Sequence, residues 1–549
     1  MTVNLRSLAL VLAIVSIAAL LAAGCSGDDD PAEGTGTPAP PTPATPSAAP
    51  DTASPSASQP PLAIPEATLR LGEADSLYSV TLAGEGDILP GIDALAVGDF
   101  NGDSVDDLLI GAPFADRADD PESADAGEAF VIFGSAGLSG GLDLAAESPD
   151  LLVRGAVGGD TLGFAVAAGD LNADGIDDII IGAPASNGLE NVRTDLGETY
   201  VIFGRPDLGG VLDTLLAEQD FTLLAAEGFA RLGSSFVVAD FNGDGIDDLA
   251  AGAPVGGREP DTPPGGPRTT VGEVYIVFGE EGLSGQRTVA RNQEDVLLSG
   301  ARQFDRFGES LAAGDVNGDG RIDLIVCSIG FEAPGRGEDS GGVFVFHGSS
   351  DWPERLTTGD ADLAVLGTDA GQELGEGVRA ADLDGDGKAE VVAAARGADG
   401  PNGRTRAGRM YVLDADGTGE IDVSENAAVV YGPDIGSGLP LSILLGDVDG
   451  NGTLDIAGST VLTSNTAGSI ESVVYVLMNG TRISERDLRT DVSETLLIQP
   501  AAENDGTGTG LALGDLNGDG KPELIVSAAG AQASGEQANR PVVHVLSLE

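Results

Sequence analysis

The sequence contains few of the residues on which many catalytic sites depend. Its 549 residues include two histidines, two cysteines and one tryptophan. Two histidines leave almost no room for a histidine-ligated zinc site or a Ser-His-Asp triad. Two cysteines cannot form a disulfide framework, and an aromatic content of 4% is low for a large helical core.

Positive charge is scarce as well. The chain has 27 lysine and arginine residues against 89 aspartate and glutamate residues, which gives a formal net charge of −62. A chain this acidic does not bind DNA or RNA by neutralising phosphates, so we expect no nucleic-acid partner. A hydrophobic content of 41% still suffices for a globular fold. Part of the acidic population is therefore expected to be screened by salt or to bind cations.

The first 24 residues have the features of an export signal. Arg6 precedes an apolar stretch, residues 8–23, that is shorter than the roughly 20 residues a membrane-spanning helix needs. The segment from Leu21 to Cys25, with the sequence Leu-Ala-Ala-Gly-Cys, resembles the lipobox of bacterial lipoproteins. That resemblance implies cleavage before Cys25, a lipid on its sulfur and anchoring at the bacterial cell envelope. Ordinary secretion with an incidental cysteine is the alternative.

The composition changes again after Cys25. Residues 25–65 are rich in Pro, Ser, Thr and Ala and have no apolar period, which indicates a disordered tether. From residue 66 the chain repeats, so we expect residues 66–549 to form one domain. Membrane contact is then expected through the lipid alone.

The repeat is marked by an acidic loop that is followed by an apolar run. Seven copies occur 65 to 75 residues apart, a regularity that makes chance negligible. Their first residues are Asp99, Asp170, Asp240, Asp315, Asp382, Asp447 and Asp515.

Each repeat contains four short runs rich in Val, Ile, Phe and Tyr, such as residues 164–168, 178–181, 197–204 and 221–224. Such runs, bounded by Gly, Asp, Asn and Pro, are typical of strands. Four strands in each of seven repeats predict an all-β fold, a seven-bladed β-propeller of four-stranded blades. The last repeat lacks its fourth strand, and residues 79–82 supply a matching one, so we expect an N-terminal strand to close the ring. An open array of β modules is the alternative.

The loops follow the pattern Asp-x-Asn/Asp-x-Asp-Gly-x-x-Asp/Glu. Side-chain oxygens at positions 1, 3, 5 and 9 and a backbone carbonyl at position 7 suit a hard cation such as Ca²⁺. Glycine at position 6 permits the sharp turn that directs these oxygens inward. The alternative is that such runs are only favourable turns. The predicted metal ligands are Asp99, Asn101, Asp103, Val105 and Asp107; Asp170, Asn172, Asp174, Ile176 and Asp178; Asp240, Asn242, Asp244, Ile246 and Asp248; Asp315, Asn317, Asp319, Arg321 and Asp323; Asp382, Asp384, Asp386, Lys388 and Glu390; Asp447, Asp449, Asn451, Thr453 and Asp455; Asp515, Asn517, Asp519, Lys521 and Glu523.

The seven loops differ in how fully they match this pattern. Loops two to five and loop seven are complete, and loop five is the most acidic. Loop one has Ser104 where glycine is expected, and loop six has Asn451 at position 5, which removes one charge. We therefore expect up to seven Ca²⁺ ions, with the fullest ligand sets in loops two to five and seven.

Motifs around the loops resemble the FG-GAP repeat. Gly-Ala-Pro follows three of the loops, at residues 111–113, 182–184 and 252–254, and Phe307-Gly308 keeps the Phe-Gly pair. The FG-GAP repeat builds the seven-bladed propeller of integrin α subunits and occurs in many bacterial surface proteins. The resemblance implies that the calcium loops lie on one face of the propeller and that ligands dock on the opposite face.

In that family, ligands are bound by connections between the second and third strands and between blades. Here the former are long in the first three repeats, at residues 114–127, 185–197 and 255–272. Variable loops on a rigid scaffold often carry recognition, although tolerated insertions are the alternative. The sequence has no Arg-Gly-Asp and lacks the integrin-specific partner domains, so an integrin's signalling role is not implied.

No residue is predicted to be catalytic. His347 and His544 take strand positions where other repeats have aromatic residues, and Cys327 takes a buried strand position where others have Gly or Ala. Trp352 is a lone aromatic residue in a loop. Because the sequence contains many pairs of acidic residues, a glycosidase that uses two carboxylates is not excluded.

These features predict an exported, lipid-anchored binding or adhesion module that is stabilised by calcium and recognises an extracellular protein or glycan. One alternative is a calcium-dependent enzyme that acts on a polysaccharide or a phosphate ester, and another is a structural surface-layer component. Arginines clustered around one carboxylate pair would favour the enzyme, and a bare aromatic patch would favour glycan binding.

Overall fold

The computed structural model describes residues 59–71, 76–82, 94–117, 123–187, 196–225, 230–257, 270–289, 293–425, 427–463, 470–480, 485–501, 505–529 and 540–548. The predicted export signal, Cys25 and the tether up to residue 58 lie outside the described residues. A compact unit begins at Pro60. The Ala63 N–H donates to the Arg489 carbonyl at 2.8 Å, and Leu62 packs against a hydrophobic cluster. The last residues of the predicted tether therefore lie against this unit.

Regular structure in the described residues is almost entirely strand. Short 3₁₀ helices occur at Thr214–Leu216, Thr358–Asp360 and Pro401–Gly403. Within the described ranges, no helix has the length and apolar character required to cross a membrane. The strands, in chain order, are β1 (Ala67–Arg70), β2 (Tyr78–Thr81), β3 (Leu95–Gly98), β4 (Asp107–Ala112), β5 (Glu128–Ile132), β6 (Leu142–Asp143), β7 (Leu151–Arg154), β8 (Val166–Gly169), β9 (Asp178–Ala183), β10 (Glu198–Ile202), β11 (Gly210–Asp213), β12 (Phe221–Leu224), β13 (Ser235–Ala239), β14 (Asp248–Ala253), β15 (Glu273–Val277), β16 (Gly285–Thr288), β17 (Val296–Ser299), β18 (Phe307–Gly314), β19 (Asp323–Ser328), β20 (Gly342–Phe346), β21 (Arg355–Thr357), β22 (Leu363–Leu366), β23 (Leu374–Ala381), β24 (Glu390–Ala395), β25 (Arg409–Asp414), β26 (Gly419–Asp422), β27 (Ala427–Tyr431), β28 (Ile443–Gly446), β29 (Asp455–Thr463), β30 (Ile470–Leu477), β31 (Arg486–Asp487), β32 (Thr495–Gln499), β33 (Thr507–Gly514), β34 (Glu523–Ala528) and β35 (Val542–Leu546).

These strands form seven sheets, which confirms the predicted seven-bladed all-β propeller. We number the sheets I to VII by the acidic loop that joins their first two strands. From the innermost strand outward, the orders are β3-β4-β5-β7-β11 in sheet I, β8-β9-β10-β12-β16 in II, β13-β14-β15-β17-β21 in III, β18-β19-β20-β22-β26 in IV, β23-β24-β25-β27-β31 in V, β28-β29-β30-β32-β1 in VI and β33-β34-β35-β2-β6 in VII.

Each sheet has five strands, where the sequence predicted four. The first four are antiparallel, and the fifth pairs in parallel with the fourth, as β11 does with β7 from Gly210↔Leu151 to Asp213↔Arg154. In sheets I to V and in sheet VII the fifth strand comes from the next repeat around the ring. These outer strands are short and half exposed, so they lack the apolar runs by which the other strands were predicted.

Strands from the beginning of the described chain complete the last two sheets. β2 pairs antiparallel with β35, from Tyr78↔Val545 to Thr81↔Val542, and is thus the fourth strand of sheet VII. This is the position predicted for residues 79–82. β1 pairs in parallel with β32 as the fifth strand of sheet VI.

The core lies between neighbouring sheets, whose second strands are buried on both faces. In β9, for example, all six residues are buried. Ile179 and Ile181 of β9 pack with Leu109 and Val131 of sheet I. Burial on both faces explains why the second strands are continuous apolar runs and do not alternate. The innermost strands contact one another around the ring, β33 and β3 included, and six of them line a central cavity of about 290 Å³.

Paired glycines set the distance between adjacent sheets. A Cβ atom on Gly111 would lie 2.1 Å from the Gly163 carbonyl oxygen, and one on Gly182 would lie 2.0 Å from that of Gly233. The glycine of Gly-Ala-Pro in one sheet therefore packs against the backbone of the Phe-Gly or Leu-Gly pair in the next sheet. Cys327 takes the equivalent position in sheet IV and is fully buried, as predicted for a small core residue.

Arginines clasp the outer strand of several sheets. Arg404, which precedes the third strand of sheet V, donates to both Asp487 oxygens in the fifth strand, at 3.1 and 2.5 Å. Its side chain is 0% exposed. We call such an ion pair, between an arginine that precedes the third strand and the last residue of the fifth strand, an arginine clasp. The four clasps are Arg117–Asp213, Arg336–Asp422, Arg404–Asp487 and Arg540–Asp143. They were not predicted from the sequence.

Candidate functional site

All seven acidic loops join the first and second strands, so the topology places them on one face of the propeller. In loop two, Asp170 Oδ1 accepts the Asp174 N–H at 3.1 Å and Asp170 Oδ2 accepts the Gly175 N–H at 2.8 Å. Asp174 Oδ1 in turn accepts the Ile176 N–H at 3.0 Å. The carboxylates at positions 1 and 5 therefore face the inside of the loop, as the predicted ligand pattern requires.

The carboxylate at position 9 is buried and begins the second strand. Asp178 accepts the N–H of Leu171 within its own loop and that of Gly204 after the third strand, both at 3.0 Å. It also accepts Nδ2 of Asn172 at 3.3 Å. This carboxylate thus joins the loop to the end of the third strand. The equivalent residues are Asp107, Asp178, Asp248, Asp323, Glu390, Asp455 and Glu523.

Burial raises the pKa of all seven of these carboxyl groups, although hydrogen bonds from backbone N–H groups oppose the shift. The pKa of Asp178 rises to about 8. Those of Asp107, Asp248, Glu390 and Glu523 rise to about 7, and those of Asp323 and Asp455 are also raised. An ionised carboxylate at position 9 therefore benefits from a nearby positive charge.

Loops five and six bring three carboxylates together. One oxygen each from Asp382, Asp384 and Glu390 lie within 4.8 Å of one another. The corresponding oxygens of loop six do the same, from Asp447, Asp449 and Asp455. Three converging carboxylate oxygens are hard ligands that fit Ca²⁺. Loop six thus has this convergence even though Asn451 removes a charge at position 5.

The other five loops carry asparagine at position 3. Its Nδ2 points toward the position-9 carboxylate, as Asn242 does toward Asp248 at 3.2 Å. In loop three, Asn242 Oδ1 accepts the Asp244 N–H at 2.8 Å. Asparagine therefore holds its loop closed and still presents an amide oxygen to the loop interior.

Two residues in every loop have left-handed backbone. Position 6, where the sequence pattern predicts glycine in a sharp turn, has φ of +84° at Gly175. Position 4 has φ of +78° at Gly243. Position 4 was missed by sequence analysis, although glycine occurs there in six loops. The exceptions are Ala173 at position 4 of loop two, with φ of +61°, and Ser104 at position 6 of loop one, with φ of +67°.

Neighbouring loops are linked by a further aspartate at position 8. Asp177 Oδ2 accepts the Asp99 N–H of loop one at 3.0 Å, and Asp106 Oδ2 accepts the Asp515 N–H of loop seven at 2.7 Å. Asp247 bonds the Asp170 N–H in the same way. Sequence analysis missed this role; the available signal was the second aspartate before the apolar run in loops one to three. Loops four to seven have Ile322, Ala389, Leu454 and Pro522 at this position.

The opposite face carries the connections between strands two and three and between successive sheets. The long connections predicted to bind ligands are described only in part, because residues 118–122, 188–195 and 258–269 lie outside the description. Phe304, between sheets III and IV, is 66% exposed and has a left-handed φ of +71°. Left-handed non-glycine residues also occur at Arg231, Arg306 and Glu373 in these connections, so it is the exposure of its ring that distinguishes Phe304.

Charged residues surround the innermost strands on this face. Arg306 Nη2 lies 2.6 Å from Glu309 Oε1, and Arg396 pairs with Glu376. The second oxygen of each glutamate is buried. Each carboxylate thus has its own arginine, so the charges of these two pairs are neutralised internally.

The two histidines and the tryptophan singled out in the sequence lie in or beside strands or contact a loop. His544 is buried within β35, and His347 directly follows β20. Trp352 donates its Nε1–H to the Phe241 carbonyl oxygen of loop three at 3.0 Å. It therefore lies on the face of the acidic loops, and its polar atom is engaged there.

Comparisons with known proteins agree with this architecture. The FG-GAP repeat matches residues 93–132, 162–202, 232–277, 307–346, 374–413 and 507–541. Phosphatidylinositol-glycan-specific phospholipase D of Bos taurus is 36% identical over 220 residues, which are 38% of this chain and 24% of that protein. Integrin alpha pat-2 of Caenorhabditis briggsae is 31% identical over 245 residues, 43% of this chain and 18% of the integrin.

The similarity spans about a quarter or less of these relatives. Among solved structures, the endo-arabinase of Bacteroides thetaiotaomicron is 12% identical, with a TM-score of 0.25, and the match covers 55% of this chain and 90% of that enzyme.

Proposed function

Because the chain is a seven-bladed β-propeller that carries FG-GAP repeats, we propose that it is a calcium-stabilised module that binds an extracellular protein or glycan. The observation that carries the proposal is the difference between its two faces. One face carries the seven acidic loops, four of which are linked by position-8 aspartates. The other face presents connections between sheets, with an exposed Phe304 in a left-handed backbone conformation.

Calcium is the first part of the proposal. The loops have carboxylates that face inward. They also have a buried carboxyl group at position 9, and its ionised form would be stabilised by a nearby positive charge. A divalent ion among hard oxygen ligands would supply that charge. The five aspartates at position 9 also accept an N–H group at the end of the third strand. In those five sheets calcium would therefore join three strands.

The melting temperature, Tm, of the protein in millimolar calcium and then in chelator tests whether the loops bind calcium. A ligand that binds only the folded state stabilises it by about 2.7 kcal/mol at a hundredfold excess over Kd, and several sites add. We expect a large fall in Tm with chelator. An unchanged Tm, with no calcium found in the purified protein, would exclude the metal and leave the loops as turns.

A variant of one loop sharpens the test. Asp384→Ala removes an exposed ligand of loop five and leaves Asp382 and Glu390 in place. We expect the variant to bind one calcium ion fewer or much more weakly, measured by equilibrium dialysis. Glu420→Ala, which removes an exposed carboxylate from the outer strand β26, is the control and should bind as the parent chain does.

Ligand recognition is the second part of the proposal. An exposed aromatic side chain supplies a large apolar surface that stacks on a sugar ring or fills a pocket of a protein partner. Phe304 lies between Arg302 and Arg306, so polar and charged contacts are available beside the ring. On the other face, by contrast, the carboxylates at position 8 of loops one to three are engaged with a neighbouring loop.

Binding of the full chain to an array of polysaccharides and extracellular-matrix proteins tests recognition. We expect Phe304→Ala to lower the affinity for any captured ligand at least about tenfold, the effect of losing roughly 1.4 kcal/mol. Leu216→Ala is the matched control, because Leu216 is 67% exposed but lies in the connection between the third and fourth strands. Equal binding by the Phe304→Ala variant would contradict the assignment of this face.

Surface anchoring is the third part, and it rests on the lipobox-like segment that ends at Cys25. Labelled fatty acid should be incorporated by the parent chain expressed in a bacterial host and not by Cys25→Ser. Release of the parent chain into the medium without label would favour ordinary secretion.

A further inference from the structure

A pair of carboxylates is buried between sheets I and II, away from the acidic loops. Asp160 lies in the connection that precedes β8, and Glu198 begins β10. Each of these residues is 3% exposed. Neither belongs to the predicted calcium loops or to the exposed surface of the opposite face.

In each of the two carboxylates, one oxygen accepts hydrogen bonds. Asp160 Oδ2 accepts the Val157 N–H at 3.1 Å. Glu198 Oε2 accepts the Ser186 hydroxyl at 2.7 Å and the Tyr200 hydroxyl. The other oxygens, Asp160 Oδ1 and Glu198 Oε1, are buried and have no hydrogen-bond partner.

The charges of the two groups oppose each other. Burial, reinforced by the negative charge of Glu198, raises the pKa of Asp160 to about 7, although hydrogen bonds from the backbone N–H groups of Val157 and Asn187 oppose the shift. Two ionised carboxylates buried without a compensating charge are very costly. The pair is therefore neutralised either by a proton or by a bound cation, and the hydrogen bonds of the described residues supply no positive charge.

The other sheets show how unusual this pair is. At the equivalent two positions, sheet III has Ala230 with Glu273, and sheet IV has Asp305 with Gly342. Sheet V has Gln372 with Arg409, where the Gln372 amide and the Arg409 guanidinium both donate to the Tyr411 hydroxyl. Of these four described pairs, Asp160 with Glu198 is the one that places two acids opposite each other.

We propose that Asp160 and Glu198 hold a Ca²⁺ ion between Oδ1 and Oε1, a site separate from the seven loops. A divalent cation would engage both unpartnered oxygens and neutralise the pair. Its position would join the connection before sheet II to the third strand of that sheet. The site depends neither on ligand recognition nor on calcium in the loops.

Terbium luminescence provides a specific test, because Tb³⁺ replaces Ca²⁺ and is sensitised by a nearby aromatic ring. The Tyr200 hydroxyl contacts Glu198, whereas none of the seven acidic loops contains a tyrosine. We expect Tb³⁺ emission excited through tyrosine from the full chain, with competition by Ca²⁺ and a severalfold loss in Tyr200→Phe. Tyr275→Phe is the matched control, since Tyr275 contacts Glu273 in a sheet with Ala230 opposite. Trp352, which contacts loop three, contributes equally to all of these proteins.

Calcium stoichiometry gives an independent measurement. The double variant Asp160→Asn, Glu198→Gln should bind one Ca²⁺ fewer than the parent chain, and Glu273→Gln should bind the same number. Terbium emission unaltered by Tyr200→Phe would overturn the proposal, even if the double variant does not fold. An unaltered calcium count in a folded double variant would overturn it too, and the pair would then share a proton. Neither result would affect the chelator test of the loops.

Discussion

Left-handed residues determine how the acidic loops close. Every loop requires φ near +60° to +90° at positions 4 and 6, where an L-residue with a side chain costs roughly 1–2 kcal/mol. Glycine avoids this cost, and twelve of the fourteen positions have it. Ala173 and Ser104 are the two that do not, so loops two and one are expected to be the most strained.

Ala173→Gly is therefore expected to stabilise the protein by about 1 kcal/mol, because the gain at φ of +61° exceeds the added freedom of the unfolded chain. The reverse change in the same loop, Gly175→Ala, should destabilise it by a similar amount. A Cβ atom there meets no other atom within 4 Å, so the cost is conformational. Urea unfolding of both variants in the same buffer measures the difference. A less stable Ala173→Gly variant would show that the backbone is not strained at this position.

His544 gives the protein a pH dependence that can be measured. Burial lowers the pKa of this histidine to about 4, whereas an unfolded histidine titrates near 6.5. The unfolded chain therefore binds a proton that the folded chain does not, and stability is lost as the pH falls from about 6.5 to about 4. The slope from this one group is about 1.4 kcal/mol per pH unit within that range.

Phe344 and Tyr411 occupy the equivalent position in sheets IV and V, so His544→Phe is a suitable variant. We expect the parent chain to lose more stability than this variant between pH 6.5 and pH 4.5, measured by Tm in matched buffers. Parallel pH profiles for the two proteins would show that His544 becomes protonated within the folded state.

Sequence analysis identified the acidic positions of the loops, because their carboxylates recur at fixed spacing. It did not identify position 4 or position 8, since the role of each depends on contacts that spacing alone does not give. Asp177, for instance, is adjacent to a predicted ligand but bonds a different loop. The Asp160–Glu198 pair was missed for the same reason: its members are far apart in the sequence and meet only between two sheets.

At the scale of the elements, the fifth strand of each sheet joins neighbouring repeats. Because it leaves its own repeat and pairs with the preceding sheet, it covers an edge that four strands would leave open. In four sheets a clasp arginine, Arg117, Arg336, Arg404 or Arg540, pairs with the last residue of that strand. Four of the 27 basic residues thus hold the outer strand, which comes from the next repeat, onto its sheet.

Arg404→Met is expected to lower the free energy of unfolding by about 3–5 kcal/mol, because it leaves Asp487 at the sheet edge without its buried partner. Arg302→Met is the comparison, since Arg302 forms an exposed pair with Glu332 and should contribute less than about 1 kcal/mol. Chemical denaturation measures both. If the two variants lose equal stability, the clasp is no stronger than a surface ion pair.

Sequence analysis predicted the first four strands of a sheet because burial requires apolar runs there. The fifth strand was not predicted because it is only partly buried and because it pairs with a strand of another repeat. β6 has two residues and β16 has the sequence Gly-Gln-Arg-Thr, so neither carries an apolar pattern. Only the recurrence of a small or polar residue at the strand's end, such as Asp143 and Asp213, gives a sequence signal.

At the scale of the whole molecule, the ring depends on the segment that precedes the first acidic loop. β2 supplies the fourth strand of sheet VII, and β1 the fifth strand of sheet VI. Val80 and Leu82 are fully buried in a cluster with Val543 and Val545. The same segment therefore covers the edges of two sheets whose first three strands lie more than 350 residues later in the chain.

Truncation at two points separates the tether from this segment. A chain that begins at Pro60 keeps β1 and β2 and should melt at the same temperature as the full chain. A chain that begins at residue 83 lacks both strands and loses the burial of Val80 and Leu82, which contribute about 1.5–3 kcal/mol each. It also leaves the edge of β35 unpaired, and an exposed edge of this kind promotes association between molecules. We expect the shorter chain to melt at a much lower temperature or to aggregate in size-exclusion chromatography. A shorter chain that stays monomeric and equally stable would mean that the ring holds together without its N-terminal strands.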